Sequence, residues 1–227
     1  MERDAQINAG DLATGLSRGT SAVEAAPSSL RERRKVATSR EIAEAALDLF
    51  ERQGVGATTV GDISRAAGIS ERTFFRYFSS KEDTVLDFHT WFDAPTRMWL
   101  ATGTTDHSAL EQLEDVCAEV LRQLDGPRRV EAMQLRRVRK LMKQEPSLRA
   151  ASVALDDHQA GALALQLSTH FDGRISPMEA RLIAEMVGMG LRTACASWSA
   201  LLDTGQTATL EGEHRAVRRT VKALTES

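Results

Sequence analysis

At five places along this chain that suit a helix start, a Ser or Thr is followed three residues later by an acid. Helix starts use that pattern to satisfy their own unpaired backbone N–H groups, the hydroxyl serving one and the carboxylate another. The five are Thr38-Ser39-Arg40-Glu41, Thr59-Val60-Gly61-Asp62, Ser79-Ser80-Lys81-Glu82, Ser108-Ala109-Leu110-Glu111 and Ser176-Pro177-Met178-Glu179. The last adds Pro at the first helical position, where its missing donor costs nothing. No stretch alternates apolar and polar over a strand length, and the chain has one Tyr. The expected class is all-α, with about nine helices.

Between the starts lie the breakers Gly54, Pro95, Gly126-Pro127, Pro146 and Gly173. They divide the chain into expected helices at 39–53, 60–67, 71–77, about 79–93, 108–124, 128–143, 147–171, 177–202 and 209–224. The first 30 residues are rich in Ala, Ser, Gly and Thr without a sustained period. They read as a disordered extension, with the basic cluster Arg31, Arg33, Arg34, Lys35 at its end and a boundary near residue 35.

With 42% hydrophobic and 27% charged residues the composition is that of a globular protein of one or two domains. No apolar run approaches the roughly 18 residues of a membrane span, so no membrane partner is expected. Met1-Glu2-Arg3-Asp4 lacks the apolar start of a secretory signal. Cys117 and Cys195 make neither a disulfide framework nor a zinc spacing, so the expected compartment is the reducing cytoplasm. Net charge is −3, yet residues 31–82 carry ten basic and eight acidic groups against seventeen and twenty in the residues after them. The net-positive third is where a nucleic-acid surface would lie, unless its cations are merely solvated.

Within that third, residues 59–78 form a helix, a tight turn and a second helix. Val60, Ile63, Ala66 and Ala67 are the buried face of the first. Gly68 supplies the turn, where positive φ and close approach of the facing helix both favour glycine. Ser70 caps the second helix, whose Phe74 and Phe78 face inward. Glu71, Arg72, Thr73, Phe75, Arg76 and Tyr77 are left outside. Cations and hydroxyls grip phosphates, while Arg and aromatic rings meet base edges and thymine methyls. This is the helix-turn-helix arrangement, whose second helix enters the major groove.

The stretch 36–86, with Ile42, Ala46, Leu49-Phe50, Gly54, Thr58-Thr59-Val60, Ile63, Ala67-Gly68-Ile69-Ser70, Thr73-Phe74-Phe75, Phe78 and Lys81-Glu82, resembles the DNA-binding domain of TetR-family transcriptional regulators. Phe75 stands where that family commonly has Tyr, and Tyr77 where it commonly has His. The resemblance implies that Thr59, Thr73, Tyr77 and Lys81 contact phosphates and that Ser70, Glu71, Arg72 and Phe75 lie nearest the bases. Arg40 and Arg76 complete the expected DNA-binding set. It also implies a homodimer on a palindromic double-stranded operator. Repression is the family's usual mode and activation the alternative. Residues 87–227 would be a helical domain for effector binding and dimerisation.

Glu145 to Trp198 resembles the corresponding domain of mycofactocin-regulator-like members, which implies a long acyl-CoA-type effector. Trp91, Phe92, Met98, Trp99, Leu113, Cys117, Leu121, Met133, Leu135 and Met142 are apolar enough to line a cavity, and equally able to be solid core. The cations of 128–143 are either a solvated face or, at Arg136, Arg137 and Arg139, partners for an anionic ligand. On 177–202 and 209–224, Ile183, Val187, Gly190, Leu191, Ala194, Trp198, Val217 and Val221 follow helical spacing. They are either a dimer seam or an ordinary core face.

No enzyme is expected. The five histidines show no metal-ligand spacing, no GxSxG elbow occurs, and Gly188-Met189-Gly190 lies inside a helix. Neither cofactor nor metal is expected. The remaining rival is a helical protein-interaction module, for which Phe75, Arg76 and Tyr77 would be a protein-facing patch.

Overall fold

The computed structural model describes residues 30–102 and 108–225. Among these residues there is no strand, and ten α-helices account for the fold. They are α1 (Leu30–Gln53), α2 (Val60–Ala66), α3 (Glu71–Phe74), α4 (Asp83–Leu86), α5 (Thr90–Thr102), α6 (Ala109–Asp125), α7 (Arg129–Gln144), α8 (Pro146–His170), α9 (Pro177–Asp203) and α10 (Leu210–Thr225). No described helix is long and apolar enough to cross a membrane.

Two of the expected capping boxes close in both directions. At α2, Asp62 N–H donates to Thr59 Oγ1 and Thr59 N–H to Asp62 Oδ2, each at 3.1 Å. At α9, Glu179 N–H donates to Ser176 Oγ at 3.2 Å and Ser176 N–H to Glu179 Oε2 at 2.7 Å. Ser108 caps α6 by its hydroxyl alone. The Ser79 box is displaced by one residue: Ser80 and Asp83 exchange the two bonds, at 2.9 and 3.1 Å.

The box at Thr38 is not a helix start. Helix α1 begins at Leu30, so Arg33, Arg34 and Lys35, expected in the extension, lie in it. Leu, Arg, Glu, Lys and Ala are strong helix formers, and a run of them upstream of a Ser lets the helix pass through. Residues 1–29 of the expected extension lie outside the described residues. The single helix expected over 79–93 is instead α4, a 3₁₀ turn at Asp87–His89, and α5. Because the bend is taken at that turn, Pro95 falls early in α5 and forfeits one backbone bond without ending it. Buried Trp99, whose indole N–H donates to Gln112 Oε1 at 2.9 Å, holds α5 against α6.

Three apolar clusters form the interior. The first gathers Ile42, Ala46, Phe50, Ile63, Phe74, Phe78 and Leu86 of the N-terminal helices and continues into Val138, Leu141 and Leu148 of α7 and α8. The helix-turn-helix therefore shares its core with the helices behind it. The second cluster lies between α5, α6, α8 and α9, around Leu113, Leu167, Ala184 and Val187. The third joins α6, α9 and α10 around Leu121, Leu124, Trp198 and Leu210. Asp125, at the end of α6, accepts the first N–H groups of α10 from Leu210 (2.7 Å) and Glu211 (2.9 Å), a carboxylate on a helix N-terminus.

Candidate nucleic-acid interface and ligand cavity

The reading head is built around two phenylalanines. Phe74 is fully buried and Phe78 nearly so, each contributing roughly 1.5–3 kcal/mol of burial. Between α2 and α3 the chain turns at Gly68, whose φ is +67°, with Ile69 N–H donating to Ser64 O at 2.9 Å. A Cβ there would meet nothing within 4 Å, so the glycine is required by its backbone conformation and not by crowding. Ser70 caps α3 by accepting Thr73 N–H at 3.1 Å. Past Phe74 the regular helix expected to 77 tightens, with Arg76 N–H and Tyr77 N–H donating three residues back.

This geometry leaves Glu71, Arg72, Phe75 and Arg76 exposed and Thr73 and Tyr77 half-buried. Phe75 is 56% exposed, an apolar ring held outward with its edge against Phe74. The Arg76 guanidinium lies 5.3 Å from the centre of the Tyr77 ring. These six residues form one outward surface. Three other expected DNA contacts have internal tasks. Thr59 Oγ1 donates to Asp62 Oδ2 at 2.6 Å. Lys81 Nζ donates to the carbonyls of Val55 (2.6 Å) and Thr58 (2.8 Å), tying the α1–α2 loop to the start of α4. Arg40 is bonded to Glu131 of α7 at 2.9 Å.

Behind the head, helices α5 to α9 line a cavity of about 530 Å³ that opens to solvent. Of the candidate liners, Trp91, Phe92, Leu113, Cys117, Leu121, Leu135 and Met142 reach it, with Phe88, Leu163 and Cys195 beside them, while Met98 is exposed on α5. Burial pushes the Cys117 thiol up to about 12 and that of Cys195 to about 11, so both are protonated apolar liners. Trp99 and Met133 do not reach the cavity; Trp99 packs on His170 and Phe171, and Met133 packs into the third cluster.

Arg136 and Arg137 are corrected in the same way. Arg137 turns from the cavity to α1, where it meets Glu44 (2.6 Å), Asp48 (2.5 Å) and Glu51 (2.6 and 3.0 Å). These carboxylates raise its pKa, the Glu51 bond foremost. Arg136 pairs with Asp203 at 2.9 Å, and Lys143 and Lys140 join the same carboxylate at 3.2 and 3.5 Å. That cluster, led by the Arg136 hydrogen bond, holds Asp203 down at about 2. Of the three arginines expected as anion partners, Arg139 alone lines the cavity. Its signal was present: Leu135, Arg139 and Met142 recur at i, i+4, i+7, one face of a helix.

The expected dimer seam is largely internal. Val187, Gly190, Ala194 and Trp198 are buried within the protomer, Val187 and Leu191 face the cavity, and Ile183 packs on the second cluster. Val217 and Val221 on α10 are half-buried. The apolar side chains that α8 and α9 leave outside are instead Val153, Leu165, Met178, Leu182 and Met189.

Residues 42–87, which span the head from α1 to the start of the 3₁₀ turn, match the family model of bacterial regulatory proteins of the tetR family. The N-terminal domain is a TetR-family DNA-binding domain. A relative from Mycobacterium tuberculosis, assigned as the mycofactocin biosynthesis transcriptional regulator MftR, is 32% identical over 124 residues, covering 54% of this chain and 60% of its own length. The HTH-type transcriptional regulator TcmR of Streptomyces glaucescens is 30% identical over 165 residues, 71% of this chain and 66% of that protein. The chain thus spans about two thirds or less of these relatives. A crystal structure of a TetR-family transcriptional regulator from Syntrophomonas wolfei superposes with a TM-score of 0.52 at 16% identity, over 85% of this chain and 96% of that one, a likeness of fold. Among the described residues no group of three or more His, Cys, Asp or Glu is placed to hold a metal.

Proposed function

We propose that the protein is a ligand-responsive transcriptional regulator, a repressor by mode, acting in the cytoplasm as a homodimer on a palindromic operator. The observation that carries this is the pairing, through one helix, of a TetR-family reading head with a largely apolar, solvent-open cavity. Helix α7 offers Leu135, Arg139 and Met142 to the cavity while Arg137 grips α1 and Arg40 of α1 grips Glu131. A change in cavity shape reaches the head along that helix as well as through α4 and α5. At about 530 Å³ the cavity suits a small apolar or amphiphilic effector. Among amphiphiles, an acyl-CoA-type compound would place its acyl chain against the Trp91, Leu121 and Leu135 wall.

One short recognition element reads only a few base pairs, so two heads are needed, on half-sites about one helical turn or more apart. Leu165 on α8 with Leu182 and Met189 on α9 supplies an apolar face for the self-complementary contact of a two-fold dimer. Arg72 is exposed beside the N-terminus of α3, the end that enters the groove, and it is the base reader of this surface.

The test is a mobility-shift assay with full-length protein and the DNA flanking its own gene. A discrete shift is expected, together with release by acyl-CoA esters or other hydrophobic compounds that bind the free state better than the DNA-bound state. Arg72→Ala should lose about 1–3 kcal/mol on the operator and relax its sequence preference. Absence of any specific shift, with the protein instead retained by a protein partner through Phe75 and Tyr77, would replace this reading with the interaction module.

A further inference from the structure

Helix α7 disposes of its inner cations in two ways. Arg137 is neutralised by three carboxylates of α1, and Arg136, Lys140 and Lys143 share Asp203. Arg139 is different: among the described residues it has neither an ion pair nor a hydrogen-bond partner, and it lines the cavity, half-buried. Most of the other charged groups of the wall are committed. Arg149 donates to the carbonyls of Met142 and Lys143, Arg192 lies 3.5 Å from Asp156, and Glu185 is bonded to Arg181. Asp125, which with Arg139 bears on Cys195, spends both carboxylate oxygens on the N–H groups of α10. Asp93 and Arg97 of α5 also line the cavity but are exposed, so water solvates their charges.

A guanidinium carries five donors and no acceptor, and Arg139 presents its own to the cavity beside Leu121, Leu124, Leu135 and Cys195. The fork geometry of those donors fits a carboxylate by two parallel bonds. We propose that the cavity takes an apolar ligand ending in one anionic group, a carboxylate, with Arg139 as its anchor; this rests on reading the cavity as the effector site. The half-buried Arg139 guanidinium, without a carboxylate partner in the chain, is balanced by the ligand's negative charge. Removing Arg139 breaks no internal bond, so the anchor can be tested without unfolding its surroundings.

Tryptophan fluorescence, with Trp91 in the wall as reporter, and calorimetry follow binding of dodecanoate and of dodecanol, neutral and of equal chain length, to full-length protein and to Arg139→Gln. Dodecanoate should bind the parent protein roughly 10- to 100-fold more tightly than dodecanol, the range for hydrogen bonds to a charged group. Arg139→Gln should erase that preference while leaving dodecanol affinity unchanged, which also reports an intact cavity. Equal affinity of the two probes for the parent protein, a preference that survives in Arg139→Gln, or failure of both probes to bind would each overturn the anchor. Operator release is measured separately. Preferential dodecanoate binding with no change in operator affinity keeps the anchor and removes the effector reading, and release without preference does the reverse.

Discussion

Replacing Arg137 by Met removes the side chain that joins α7 to α1 while keeping most of its apolar stem. The guanidinium is 29% exposed and its three partners are 38% to 52% exposed, so each pair is worth a surface-like 0.2–1 kcal/mol rather than a buried-pair value. Glu51 accepts two of the bonds and belongs at the top of that range. Three pairs together come to roughly 1.5–2.5 kcal/mol. Glu44, Asp48 and Glu51, spaced four and three apart on α1, then face one another unneutralised, which adds a few tenths per pair, about 0.2–0.5 kcal/mol. The expected loss in urea unfolding is therefore about 2–3 kcal/mol at low salt. In roughly 0.5 M salt the Debye length is about 4 Å, and the loss should fall to about half. On a background with Glu44→Gln, Asp48→Asn and Glu51→Gln, Arg137→Met should cost less than about 0.5 kcal/mol, because the interaction is already gone. A loss below about 0.5 kcal/mol in the parent background, or one indifferent to salt, would refute the view that α7 is fastened to the reading head by charge.

Lys81→Met should destabilise the DNA-free protein by about 2 kcal/mol in thermal or urea unfolding, since two charge-assisted bonds to Val55 O and Thr58 O are lost; unchanged stability with weakened DNA binding would return Lys81 to the role of phosphate contact alone. Asp87 lies at the 3₁₀ turn between α4 and α5, and desolvation, reinforced by the charges of Asp93 and Asp83 and opposed by Lys35, pushes its carboxyl up to about 6. A folded pKa above the unfolded value means that the folded state holds the proton more tightly, so this group's contribution to stability falls as pH rises from about 4 to about 6. Asp87→Asn should raise the melting temperature at pH 7.5 and have little effect near pH 4; an equal change at both pH values would count against a desolvated carboxyl.

The elements that could be read without a structure are those whose cause is local. Thr59 with Asp62 and Ser176 with Glu179 define helix starts because both partners of each bond lie within one turn. Gly68 marks the turn because positive φ is a property of a single residue. Phe74 and Phe78 share a face because they are one helical turn apart, and that spacing alone turns Arg72, Phe75 and Arg76 outward. The turn and the inward phenylalanines of the reading head were therefore legible, although Ala66, expected on the buried face, is exposed.

What lay behind it was not. The Thr38 box has the same local grammar as the Ser176 box, yet it is silent inside α1, since whether a helix starts there depends on the chain before it. Arg136, Arg137 and Arg139 are close in sequence and alike in chemistry. Successive helical residues point about 100° apart, so docking one side of α7 on α1 sends Arg137 to three carboxylates, Arg136 to Asp203 and Arg139 to the cavity. The stripe Val187, Ala194, Trp198 is likewise correct as periodicity, and its burial within the protomer was decided by α6, α8 and α10 closing over it. Sequence determines which residues share a face because that follows from the rise and twist of one helix. The partner of each face is a competition among all the helices at once, and only their packing resolved it.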